Sequence, residues 1–278
     1  MPANEDQIKF WNDKAGQDWT ELQERMDANL SGIHAALMAF AAPAPGMAIL
    51  DVGCGTGTTS MALARIAGPK GMVAGVDISR PMLGLARQRA GQAGLKIAFA
   101  EADAAVQPFA PEHDLIFSRF GVMFFDDPAA AFANMKTALK PGGRLAFACW
   151  RTPPENPWAS APLAAAKPFL PEQPPPDPLA PGPFAFAVPG RVKDILGKAG
   201  FGGIAISKYD GVMAMGWDMD SVAAQTLRIG PLSRAVGEAD QTARAKIVEA
   251  VRAALEKFRD PSGEIVPPTA CWLVGARA

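Results

Sequence analysis

The chain has 278 residues, enough for one large domain or for one domain with a sizeable lid. Hydrophobic residues make up 49% and charged residues 20%, which is ordinary globular usage with a packed core. Basic and acidic side chains number 27 and 28, so the net charge of −1 gives no electrostatic footprint for nucleic acid or an anionic membrane.

Three scattered cysteines (Cys54, Cys149, Cys271) with no CxxC pair argue against a disulfide framework and against a metal site. The opening MPANEDQIKFWNDKAG has no basic stretch leading into an apolar run, and no stretch of about 18 apolar residues follows. The expectation is a cytoplasmic protein with no membrane span.

Residues 5–40 read as helical, with Ile8, Phe10, Trp11, Trp19, Leu22, Met26 and Leu30 at loosely helical spacing. The sequence APAPG at 42–46 ends that region. From Met47 short apolar runs alternate with helical segments, the pattern of βαβ units on a parallel sheet. Strands are expected at 47–52, 72–77, 96–100, 115–118 and 144–150, with helices at 58–67, 80–93 and 129–139. Ser79 caps the second of these helices, and Pro81 is tolerated in its first turn.

Thirteen of the 26 prolines then fall between Pro153 and Pro189. This stretch reads as an extended excursion over the surface, a lid in preference to a linker. A helix over 190–201, a strand over 204–213, two or more helices in 217–260 and a strand over 270–276 complete the chain. The alternation of strands and helices predicts a doubly wound α/β fold, and the helical insert before the last strand predicts that this strand comes back antiparallel. The expected seven-stranded sheet is mostly parallel, with an antiparallel last strand and helical and loop lids. The expected division is an N-terminal cap (1–44), a cofactor-binding core (45–151), the proline-rich lid (152–190) and the rest of the core (191–278) carrying the insert at 217–260.

The chemistry is concentrated at three successive strand ends. Ile49-Leu50-Asp51-Val52-Gly53-Cys54-Gly55-Thr56-Gly57 runs from an apolar strand through three glycines into a helix. Such a turn lets a ligand approach the backbone, and the helix start favours an anionic group. A dinucleotide fingerprint wants G-x-G-x-x-G, but the position of its third glycine is Thr58. A phosphate loop of the G-x-x-x-x-G-K-[ST] type is absent. Asp77, 20 residues after Gly57, stands where an acid accepts from both hydroxyls of a ribose. Asp103, past the third strand, stands where a carboxylate accepts from an adenine amino group. A glycine turn of plain structural purpose and solvated loop acids are the bland alternatives at each position; the three in register outweigh any one.

ILDVGCGTGTTS, VAGVDISRPML, EADAAVQPF, HDLIFSRFGVMFF and LKPGGRLAFACWR together resemble the successive motifs of class I S-adenosylmethionine (SAM)-dependent methyltransferases. The resemblance is to the branch of ubiquinone/menaquinone-biosynthesis-type and other small-molecule enzymes, and it covers residues 45–151 densely. It implies SAM as cofactor, with Asp51, Gly53, Gly55 and Gly57 around its methionine part. Asp77 would hold the ribose, Ile78 and Met82 would pack near the adenine, and Asp103 and Ala104 would meet its edge. Ser118 and Arg119 would lie beside the methyl donor, with Arg119 anchoring an anionic acceptor. No NPPY- or DPPY-type tetrapeptide follows the fourth strand, which separates this chain from methylases of base or glutamine amino groups.

The acceptor is therefore expected to be a small, partly apolar molecule and not nucleic acid. Trp11 and Trp19 are the candidate roof of its pocket, with plain core packing as the alternative. Trp158, Phe169, Phe184, Phe186, Leu227, Ile229 and Leu232 are the further candidate lining from the three covering segments. His34 and His113 read as structural or solvated histidines. An NAD-linked oxidoreductase, a SAM-fold enzyme that does not transfer methyl, and a non-catalytic SAM-binding protein remain as other readings. The acceptor atom and the oligomeric state are not encoded legibly.

Overall fold

The computed structural model describes residues 4–171, 177–237 and 239–278. Its centre is a seven-stranded sheet of order β3-β2-β1-β4-β5-β7-β6. The strands are β1 (Ala48–Val52), β2 (Met72–Asp77), β3 (Ala98–Glu101), β4 (His113–Arg119), β5 (Leu139–Trp150), β6 (Gly202–Val212) and β7 (Pro268–Arg277). Strands β1 to β5 pair in parallel, and β7 runs antiparallel between β5 and β6. All five residues of β1 are buried, as a central parallel strand covered on both faces requires. β1 pairs with β2 on one side and β4 on the other, so the chain reverses its winding there. In open α/β sheets the crevice at such a switch point, beyond the carboxyl ends of the strands, is where ligands bind.

The N-terminal region is four short helices where one helical stretch was expected: α1 (Glu5–Asn12), α2 (Lys14–Glu21), α3 (Gln23–Asn29) and α4 (Ser31–Ala41). The first joint is a true break, because Asp13 is extended. The later joints at Leu22 and Leu30 keep i to i−4 bonds running through them, with Met26 N on Leu22 O (2.9 Å) and His34 N on Leu30 O (2.8 Å). The apolar face of α4 packs across β4, β5, β6 and β7 through Ile33, Leu37 and Ala41.

The crossovers are α5 (Thr58–Ala67), α6 (Arg80–Gln92) and α7 (Pro128–Lys136). The proline-rich stretch differs from the expectation of an extended surface excursion. Its first part is helix α8 (Pro157–Ala166), opened by a proline at its first position and retaining Pro162 inside. Asn156 explains the anchorage: it is fully buried, donates to Ala270 O (3.0 Å) and accepts from Ala270 N (2.9 Å) and Trp158 Nε1 (3.1 Å). Residues 172–176 of the expected lid lie outside the described residues.

The chain continues through α9 (Pro189–Lys198) to β6, then the insert α10 (Met219–Thr226), α11 (Pro231–Val236) and α12 (Gln241–Glu256) before β7. α8 packs against both α11 and α12. Among the described residues no helix is long and apolar enough to cross a membrane.

Candidate cofactor and acceptor site

The floor of the site is the turn after β1. Asp51 is fully buried, and its Oδ2 accepts from Thr59 Oγ1 and Ser60 Oγ in the first turn of α5, both at 2.6 Å. Its Oδ1 is buried with no partner among the described residues. Burial pushes the Asp51 carboxyl up to about 6, against the pull of the two hydroxyls and of Arg119. Two of the glycines are required for different reasons. Gly53 has φ +66°, and a Cβ there would lie 2.6 Å from Gly121 Cα, so the turn is closed against the β4 exit. Gly55 has φ +54° but meets nothing nearer than Met82 Sδ at 3.8 Å, so only its backbone conformation demands glycine. Gly57 completes the turn at φ +84°.

Asp77 is buried at the end of β2 and is fixed by two amides, Gly55 N on Oδ2 (2.8 Å) and Ser79 N on Oδ1 (2.9 Å). It therefore ties the glycine turn to the start of α6. Burial raises its pKa, and the amide hydrogen bonds oppose that rise. Ile78 follows, half-buried, and Met82 lies buried one turn into α6. Asp103 follows β3; its Oδ1 accepts from Ala105 N (2.9 Å), and Ala104 beside it is buried.

At the β4 exit Ser118 is fully buried, and its hydroxyl accepts from Gly121 N (3.1 Å), holding the turn that closes on Gly53. Arg119 is largely buried. Its Nη2 approaches Asp27 Oδ1 at 3.9 Å, while Nη1 is buried without a partner. Phe120 then takes φ +70°, rare for a bulky residue, and stacks on Trp150 with centroids 4.1 Å apart and planes 6° from parallel. Trp158 continues that aromatic wall, 4.7 Å from Trp150.

Several residues of the site were not singled out from the sequence. Asp27 on α3 accepts from Thr58 Oγ1 (2.7 Å) and from Arg89 Nη2 (2.9 Å), and Arg89 also donates to Thr56 O (2.8 Å). One carboxylate thus joins the cap, the glycine loop and α6. His34 lies seven residues later, on the same face of the nearly continuous α3–α4 helix. Its Nδ1 is buried and unpartnered, and burial followed by the Arg119 charge lowers its pKa. His34 thus stands within electrostatic reach of Arg119 and Asp27. His113 is structural as expected, with Nδ1 at 3.2 Å from Ala138 O at the opposite end of β4.

The cap closes over these elements. Trp11 meets Phe124 edge-on at 5.4 Å and Trp19 at 6.2 Å. The insert is joined to the cap by Arg228, which donates from Nε to Asp18 (2.7 Å) and also pairs with Glu21, and by Arg234, stacked 4.0 Å over the Phe10 ring. Of the expected lining residues, Phe186 instead fills the core beside Phe132 and Phe147, because its segment turns inward beneath α7. Phe169 lines an outer surface hollow of about 490 Å³ with Pro168–Pro171, Ala239, Asp240 and Lys246, away from the strand ends.

A family model of the methyltransferase domain matches residues 49–143. The ubiquinone/menaquinone biosynthesis C-methyltransferase of Bordetella parapertussis is 38% identical over 124 residues, covering 43% of this chain and 48% of that protein. The nocamycin O-methyltransferase of Saccharothrix syringae is 31% identical over 176 residues, covering 57% and 60%. The chain spans about half the length of the curated relatives it matches. In the solved structures, the YcgJ protein of Bacillus subtilis shares the fold with TM-score 0.57 and 16% identity, over 88% of this chain and 97% of that one. Residues 49–143, which carry the glycine turn and its acids, are thus similar to a methyltransferase domain, and the sheet shares the fold of the solved structures.

Proposed function

We propose that this chain binds SAM at the β1–β4 crevice and transfers its methyl group in line to a small, partly apolar acceptor. The observation that carries the reading is a pair of buried, unpartnered groups of opposite charge at adjacent strand ends, Asp51 Oδ1 and Arg119 Nη1. Leaving such groups unpaired is costly, and an amino-acid zwitterion supplies an ammonium for one and a carboxylate for the other. The methionine end of SAM is such a zwitterion. We therefore assign Arg119 to the cofactor carboxylate in place of an acceptor anchor. Gly53, Gly55 and Gly57 leave the backbone open to that end. Asp77 would take the ribose, Ile78 and Met82 the face of the adenine, and Asp103 and Ala104 its edge.

When bound, the sulfonium supplies an already activated methyl group, so the protein's part is alignment and exclusion of water. Ser118 fixes the turn that carries Arg119. Phe120, Trp150 and Trp158 give the acceptor an aromatic wall, while Trp11 and Trp19 roof the crevice from the cap. A general base is needed only for an acceptor that holds its proton at neutral pH. The named relatives methylate carbon and oxygen, and both kinds of acceptor fit an apolar, aromatic wall.

Calorimetry with S-adenosylhomocysteine tests the cofactor half of this reading. Asp77→Ala should weaken binding by about 2–4 kcal/mol, ~30-fold or more, through loss of two charge-assisted hydrogen bonds. Unchanged affinity in folded Asp77→Ala protein would sink it. Conversion of SAM to S-adenosylhomocysteine with candidate acceptors, followed by mass shift, tests methyl transfer itself and separates it from mere binding. Sub-micromolar DNA or RNA binding at physiological salt would contradict the acceptor class.

A further inference from the structure

The cap begins with a strap that spans two of the three strand ends. At one end Asn12 Nδ2 donates to Ile78 O (2.7 Å), Asn12 Oδ1 accepts from Arg80 N (2.9 Å), and Ser79 Oγ donates to Trp11 O (2.7 Å). At the other end Asn4 Nδ2 donates to both oxygens of Asp103, at 2.9 and 2.8 Å. Asn4 is only 3% exposed and is gripped a second time: its N donates to Asp126 Oδ2 and its Oδ1 accepts from Asp126 N, both at 2.9 Å. Its backbone is left-handed at φ +58°, a conformation that asparagine tolerates better than most residues. Helix α1 thus runs from the β3 exit to the β2 exit, above the line from Asp103 to Asp77.

The two ends of the strap hold different kinds of group. Asn12 binds main-chain atoms that a nucleoside does not need. Asn4 binds the side chain that the proposed cofactor does need. A carboxamide NH₂ and the amino group of adenine are the same donor, a planar nitrogen with two N–H bonds conjugated to its ring or carbonyl. The Asn4 amide sits symmetrically across the mouth of the Asp103 carboxylate, and Ala105 N takes a further lone pair of Oδ1. That leaves no frontal approach for a second amino group.

Resting on the assignment of Asp103 to the adenine amino group, we propose that Asn4 is a built-in competitor of the cofactor. Its carboxamide holds the hydrogen-bonding position on Asp103, and the amino-terminal strap releases that position when the cofactor enters. Asn12 is the hinge and Asn4 the latch. Because the latched state does not accept the nucleobase, apparent affinity is reduced by the fraction of molecules that are unlatched. Release of the strap becomes part of cofactor exchange, so the amino-terminal segment sets the rate at which product cofactor leaves and fresh cofactor enters.

The test uses the full chain titrated with S-adenosylhomocysteine, by calorimetry for affinity and by stopped-flow tryptophan fluorescence for rates, Trp11 being on the strap. Asn4→Ala should tighten binding about tenfold and raise the association rate. Asn4→Asp, which sets a third carboxylate against Asp103 and Asp126, should do the same or more. A thermal melt of each variant confirms that it folds. Weaker or unchanged binding in both variants overturns the latch and makes Asn4 a fixed support of the pocket. S-inosylhomocysteine separates this from the parent reading, since it presents a carbonyl oxygen where adenine has its amino group. If the native protein does not prefer S-adenosylhomocysteine over it, the adenine subsite falls and the latch with it. If it does prefer it but the Asn4 variants gain nothing, the latch alone falls.

Discussion

The glycine-turn side of the site and the cap above it are built by different means. The turn is made of backbone: Asp77 is held by the amides of Gly55 and Ser79, and Gly53 lies against Gly121 with no room for a side chain. The cap is held by side chains reaching across long stretches of sequence: Asn4 to Asp103, Asp27 to Thr58 and Arg89, and Arg228 to Asp18 and Glu21. Backbone supports are rigid and local. Side-chain pairs, several of them part-exposed, are individually worth little and can be exchanged. On the proposed reading the rigid half would place the cofactor, while the exchangeable half is suited to opening and closing over it.

The largest expected break in this contrast is Gly53→Ala. A methyl group 2.6 Å from Gly121 Cα, on a backbone at φ +66°, combines overpacking with left-handed strain. The expected loss is on the order of 3–5 kcal/mol, seen as a lower midpoint in urea. Gly55→Ala has the same strain without the clash and should lose only about 1–2 kcal/mol. Equal losses would mean that the close approach to β4 contributes nothing.

Next comes Asp51, the buried acid of the rigid half. Its pKa is raised to about 6 by burial, so its contribution to stability is fully present below the unfolded value near 3.8. That contribution is lost as pH rises through about 6, amounting to roughly 3 kcal/mol by pH 7. Asp51→Asn should remove this slope and make the free protein more stable at pH 7, in urea melts at pH 4 to 7. An ammonium bound at Oδ1 reverses the sign for binding. Affinity for S-adenosylhomocysteine should therefore rise up to about tenfold per unit between pH 5 and 6 in the native protein, but not in Asp51→Asn.

Arg228→Ala probes the exchangeable half. Asp18 is buried and keeps Lys14 as a partner, while Arg228 is about a third exposed, so the expected loss is only ~1 kcal/mol. The informative readout is kinetic: a raised KM for the acceptor with unchanged affinity for S-adenosylhomocysteine. A fall in cofactor affinity equal to the rise in KM would place the cap and the glycine turn in one rigid unit.

The same division explains what was legible in the sequence. The glycine turn and the acids Asp77 and Asp103 come from local patterns, each acid at or just past the end of its strand, and the sheet has the expected antiparallel last strand. Asn4, Asp27, His34 and Arg89 carry no such local mark, since Asn4 reaches Asp103 and Asp126, 99 and 122 residues away, and Asp27 reaches Thr58 and Arg89, 31 and 62 residues away. The spacing of seven between Asp27 and His34, which places both on one face of a helix, is the one sign the sequence offers. Proline count misled at α8, because a proline at the first position of a helix is harmless and Asn156 anchors the start of that helix to β7. Phe186 was placed by its segment and not by its own burial, which no periodicity in that segment records.

The smallest expected effect concerns two of the titratable groups around Arg119, Asp51 and His34, with Asp27 the third. The stability slopes of Asp51 and His34 have opposite signs. Burial and the Arg119 charge lower the pKa of His34, with Asp27 pulling the other way. A group whose folded pKa is depressed contributes stability present above the unfolded value near 6.5 and lost as pH falls through the folded value. His34 thus destabilises the protein toward acid, where Asp51 stabilises it. His34 is half-buried whereas Asp51 is fully buried, so the histidine's share is the smaller of the two. His34→Asn in an Asp51→Asn background should flatten the acid side of the urea-midpoint profile between pH 7 and 5. If it instead steepens there, the imidazole is charged in the folded protein and pairs with Asp27, and Arg119 does not face it.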